Sequence, residues 1–172
     1  MKKAVLPLLL LFVFLLESIF SAIAPTNLFG EHTIVAPRFL LVVLLLITIY
    51  YNAAQGIYLA CIYGLLVDIV YTELIGVYVF AYPLLAYLVS NAMRILQVNF
   101  LIVSVLVLFG VAGLEYYVYG LLRLLGRTDM AHAVFFADRL LPTLLLNGIF
   151  LVLFSFPLRK LLLRLLAAAE EK

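Results

Sequence analysis

Asp68 stands inside an otherwise apolar run, preceded at four-residue intervals by Gly64, Ala60 and Gly56 and followed by Thr72 and Gly76. A carboxylate at bilayer depth costs roughly 2.5 to 3.5 kcal/mol on insertion scales, so it persists where it meets a partner or water. Small residues four apart lie on nearly one helix face and let a second backbone approach closely. Gly56, Ala60, Gly64, Thr72 and Gly76 therefore read as a packing face, with Asp68 turned towards protein and away from lipid. Each four-residue step overshoots a full turn by about 40°, so a straight helix would show Gly56 and Gly76 to different neighbours.

Four further charges lie near apolar runs. Glu17 and Glu115, like Asp68, fall late in apolar segments, whereas Arg38 and Arg139 each open one near a proline. If consecutive segments alternate in direction, all five charges share one layer of the membrane. The chemistry expected of Glu17, Arg38, Asp68, Glu115 and Arg139 is mutual neutralisation through charge-assisted hydrogen bonds, forming a polar cluster or a partner-docking face. The last segment adds a polar face, because Arg139, Thr143 and Asn147 recur every four residues; Tyr63, Thr48 and Asn52 offer further cross-helix hydrogen bonds.

Catalytic chemistry finds little to work with. The chain has neither a Gly-rich phosphate loop nor a Ser-centred nucleophile motif, and its two histidines, His32 and His132, fall in loops. Asp129, His132 and Asp138 lack the ligand count and spacing of a zinc site. No enzyme activity, cofactor or metal is expected. A net charge of +2 with scattered basic residues gives no nucleic-acid footprint.

The elements that position these residues follow from composition. Of 172 residues, 68% are hydrophobic and 12% charged, and the mean hydropathy is +1.27. Such a chain is a single all-α integral membrane domain, since nothing in it reads as a linker or a second domain. Windows of about 20 residues place spans near Ala4 to Ile23, Arg38 to Asn52, Gly56 to Tyr71, Ile75 to Ala92, Phe100 to Leu122 and Asp138 to Phe156, a six-transmembrane-helix bundle. The second and third are short for a core of about 30 Å. Pro83 and Pro142 are expected to kink their helices, and Cys61 reads as a small packing residue.

The N-terminus imitates a cleavable secretory signal, with Lys2 and Lys3, an apolar stretch and Ala22-Ile23-Ala24. Pro25 after the cleavage position and Glu17 within the apolar stretch argue instead for a retained first span. Lys2, Lys3, Arg94, Arg159, Lys160, Arg164 and Lys172 on one side outweigh Arg38, Arg123, Arg127 and Arg139 on the other, which places both termini in the cytoplasm. Tyr50, Tyr51 and Tyr58 then mark the inner interface, and Tyr71, Tyr78, Tyr116 and Tyr117 the outer. After Pro157, the segment 158–172 reads as a basic amphipathic helix along the cytoplasmic leaflet, or as an extension of the last span. The first and last helix pairs share an outline, Glu17 with Arg38 and Glu115 with Arg139, in the manner of a duplicated hairpin.

Glu17-Ser18-Ile19-Phe20, Pro37-Arg38-Phe39, the stretch from Tyr63-Gly64 through Asp68 to Tyr71-Thr72, and Gly76-Val77-Tyr78 resemble the rod shape-determining MreD family. Glu115-Tyr116-Tyr117-Val118-Tyr119-Gly120 and Asp138-Arg139-Leu140-Leu141-Pro142-Thr143 with Asn147 are similar to later stretches of the same family. The resemblance runs in order over essentially the whole chain. It implies a non-enzymatic subunit of the bacterial elongation machinery in the plasma membrane. Its partners would be the bitopic protein MreC, most directly, and the MreB filament, RodA and a class B penicillin-binding protein, with membrane lipid around it. A homo-oligomer is left open by the sequence. The family is similar in fold to the substrate-binding subunits of energy-coupling factor vitamin transporters. An alternative reading therefore makes the polar layer a pocket for a polar vitamin, and a lipid flippase is a third.

Overall fold

In hydrocarbon every backbone polar group needs a partner, and long apolar runs meet that need within themselves as helices. The computed structural model describes residues 4–23, 33–72 and 74–170, whose regular structure is entirely helical. In order come α1 (Val5–Ile23), α2 (Phe39–Tyr50), α3 (Ala53–Tyr71), α4 (Val77–Met93), α5 (Phe100–Leu124), the single turn α6 (His132–Val134), a π-helical turn (Phe135–Leu140) and α7 (Leu141–Glu170). Among the described residues α1, α3, α5 and the stretch His132–Ala169 are long and apolar enough to cross a membrane, whereas α2 and α4 are shorter apolar helices. The chain is a multi-pass membrane protein.

The sequence of α2, FLLVVLLLITIY, has no polar stripe, and a helix apolar all round belongs in an interior. Phe39 to Ile47 are at most 3% exposed, and α2 packs against α1, α3, α4, α5 and α7. Its 12 residues span about 18 Å, well short of a core of about 30 Å. Sheathed in protein, α2 need not reach both surfaces, because the non-helical chain before it, half-buried at Ala36 and buried at Pro37 and Arg38, finds hydrogen bonds on α7.

The expected third span begins earlier than its apolar run suggests, at Ala53, because the Asn52 side chain accepts the Gln55 N–H at 3.1 Å and caps the helix. At 19 residues α3 is therefore not short. It ends at Tyr71, so the small-residue face divides. Gly56, Ala60 and Gly64 are buried on α3, Thr72 is its C-cap, and Gly76 sits in the following turn at φ 121°, a left-handed conformation that favours glycine. A Cβ on Gly64 would lie 2.5 Å from the Tyr78 carbonyl oxygen, and one on Gly56 would lie 2.8 Å from the Thr48 Cα. The stripe thus receives the protein's own α4 and α2.

One other expectation changes. Cys61 is exposed on the outside of α3 and plays no internal packing part. The segment after Pro157 continues α7 as one helix to Glu170, with Leu158 and Leu162 buried and Arg159, Lys160 and Arg164 exposed. Lys2, Lys3, Ala24, Pro25, His32, Glu171 and Lys172 lie outside the described residues.

Candidate functional site

The polar residues gather where α2 and α7 begin, and proline chemistry explains how. Pro142 has no N–H, so the carbonyl four residues earlier, that of Asp138, has no helical donor. It accepts the Ile34 N–H instead, at 2.8 Å. The wider π-helical turn around Asp138 and Arg139 absorbs the misfit. Two turns of α7 then bind the same irregular segment: Thr143 Oγ1 accepts the Ala36 N–H at 3.1 Å, Asn147 Oδ1 accepts the Arg38 N–H at 2.8 Å, and Asn147 Nδ2 donates to the Ala36 carbonyl at 3.1 Å. Ile34, Ala36 and Arg38 alternate, which is the period of an extended chain. The four-residue spacing of Thr143 and Asn147 lets one helix face read alternate peptide groups of that chain.

Arg38 then enters the bundle. Its Nε donates to Glu115 Oε1 at 2.8 Å, and Arg139 Nε donates to Glu115 Oε2 at 2.9 Å. Glu115 is fully buried, and the Arg38 and Arg139 side chains are 11% and 24% exposed. Two guanidinium groups from separate elements thus converge on one carboxylate, a strong charge-assisted arrangement. The Arg38 guanidinium also lies 5.3 Å from the centroid of the Tyr78 ring, a cation–π contact.

Glu17 performs a different task. Arg38 supplies no side-chain cap to α2, and the start of α2 is buried, so its first N–H groups need an acceptor. Glu17 Oε2 accepts the Leu40 N–H at 2.8 Å, bringing a carboxylate from α1 to the positive end of α2.

Asp68 stands one step away from the arginines. Its carboxylate accepts the N–H groups of Gly76 at 2.9 Å, Tyr78 at 2.9 Å and Val79 at 3.0 Å. It closes the α3–α4 turn and caps α4, and through Tyr78 it fixes the ring on which Arg38 rests. Arg38 and Arg139 therefore do not divide themselves among two or three carboxylates, as the shared layer led one to expect, but converge on Glu115, because backbone N–H groups satisfy Glu17 and Asp68.

Tyr82, on α4, has no exposure and an unpartnered hydroxyl. It lies within electrostatic reach of Glu17, Arg38 and Glu115. Spacing gave no hint of it, since it reads as one more aromatic of an apolar helix. His132 stacks on Tyr116, and no three potential metal ligands cluster among the described residues.

The sequence profile of the family described as rod shape-determining protein MreD matches residues 2–165. The chain belongs to that family. The rod shape-determining protein MreD of Bacillus subtilis (strain 168) is 35% identical over 159 residues, covering 92% of each chain. No solved structure matches. The family match runs from the start of α1 into the last turns of α7, so it takes in every residue of the polar layer. The family's name describes cell-shape determination and no chemical reaction. The charged groups of the layer are bonded to one another and to backbone.

Proposed function

We propose that the protein is a non-enzymatic scaffold subunit of the bacterial elongation machinery. In this reading it sits in the plasma membrane with both termini in the cytoplasm, binds MreC directly and joins MreB, RodA and a class B penicillin-binding protein in organising peptidoglycan synthesis. The observation that carries the reading is family membership over the whole helical bundle. The six-helix count belongs to the same proposal, with α2 and α4 as the two short members of a bundle of the energy-coupling factor type.

The geometry supports a scaffold over a vitamin pocket, because Glu17, Asp68, Glu115 and Arg139 all have partners within the chain. In this reading the docking face lies elsewhere than the small-residue stripe. Gly64 and Asp68 are occupied by α4, so an incoming helix would meet the lipid-facing flanks or the outward loops, which the polar layer holds in place. Purification of the tagged protein from its native membrane in mild detergent, followed by mass spectrometry, tests the proposal. MreC, RodA or a penicillin-binding protein is the expected companion. An energy-coupling transmembrane subunit with paired ATPases, or a retained vitamin, would overturn it.

A further inference from the structure

The end of the bundle opposite the polar layer carries a cleft of about 640 Å³, within the usual size of ligand sites. Leu6 and Pro7 of α1, Tyr51, Tyr58 of α3, and Leu165 and Ala168 of α7 line it. Its depth follows from α7. About 30 Å of helix separates Arg139 from Arg159 at 1.5 Å per residue, the thickness of a hydrocarbon core. With Arg139 in the layer at one interface, Arg159, Lys160 and Arg164 fall at the headgroup level of the other leaflet, and all three are exposed.

The cations and the cleft are joined by geometry. The Arg159 guanidinium lies 5.5 Å from the centroid of the Tyr50 ring, next along the chain to Tyr51 in the cleft wall. Lys160, Arg164 and Ala168 recur every four residues, so one stripe of α7 runs from two cations into the cleft. Neither cation has a carboxylate partner among the described residues. An uncharged protein helix laid in the cleft would leave both charges unmatched, and a zwitterionic lipid would match them only in part.

We propose that the cleft seats one anionic glycerophospholipid, with an acyl chain against Leu6 and Leu59 and the phosphate on Lys160 and Arg164. The site is independent of the elongation reading and stands or falls without it. Native mass spectrometry tests it on the full chain in mild detergent, titrated with an equimolar mixture of phosphatidylglycerol and phosphatidylcholine. One phosphatidylglycerol is expected to be retained with a preference of about thirtyfold, the scale of two basic residues at an anionic surface. The double variant Lys160→Gln with Arg164→Gln should bring the preference close to one. Ala168→Phe fills the cleft with both charges intact and should remove the bound lipid; if that variant does not fold, Ala54→Leu in the same wall reads the same effect. Equal retention of the two lipids, no retention of either, or a preference that survives the charge or the filling variants would overturn the proposal.

Discussion

Glu115 is the residue on which the polar layer depends most, since each of its carboxylate oxygens accepts from a different arginine. Removing one partner of a buried ion pair leaves an uncompensated charge and costs about 3 to 5 kcal/mol. Glu115→Gln should therefore destabilise the protein by about 3 kcal/mol, towards the low end because an amide oxygen still accepts one bond. Arg139→Gln should cost less, since Arg139 is the more exposed partner. Neutral bonds between membrane helices average only about 0.6 kcal/mol. Thr143→Val, which removes one such bond, should shift the unfolding midpoint in detergent only slightly, and Asn147→Leu, which removes three, several times as far. Equal shifts for these two would mean that α7 does not hold the segment before α2. Asp68→Leu strips the acceptor from three backbone N–H groups and should cost about 2 kcal/mol or more, with Asp68→Asn milder because one oxygen remains.

At the scale of elements, one device recurs. Each long helix α1, α3 and α5 carries a late carboxylate that bonds the beginning of the next helical segment or the residue ahead of it. Glu17 meets the backbone of α2, Asp68 the backbone of α4, and Glu115 the Arg139 side chain ahead of α7. The resemblance between the first and last hairpins thus extends to the middle one. Sequence made the acids and arginines visible but not their partners, because two of the three acids bond N–H groups that every residue possesses. Pro142 was the available signal for the rest: a proline four residues after Asp138 frees a carbonyl that some other segment must fill. Pro142→Ala should restore a helical donor for that carbonyl and speed amide exchange at Ile34, read by hydrogen–deuterium exchange. Unchanged protection of Ile34 would contradict this account. Gly64→Val places a Cβ 2.5 Å from a backbone oxygen of α4, and because backbone yields little, it should cost about 1 to 3 kcal/mol or more as overpacking.

For the whole molecule, the organising fact is a short helix without a polar stripe, enclosed by five others. Composition announced a membrane bundle and hydropathy windows found its helices. Their boundaries moved where a cap such as Asn52 or a turn such as that at Gly76 outweighed hydropathy. That α2 is central and not peripheral was legible in its lack of any polar stripe, whereas its neighbours were not, since apolar faces carry no address. Amides of α2 should exchange most slowly in the protein, with α1, the least enclosed of the candidate spans, faster. The central claim is that the buried charges form the bundle's own joint, anchoring α2 to α7. Thermal unfolding of Glu115→Gln beside the wild type in the same detergent tests it most directly. A clear fall in midpoint, with loss of amide protection at the start of α2, is the expected result; a midpoint and protection pattern equal to the wild type would contradict it.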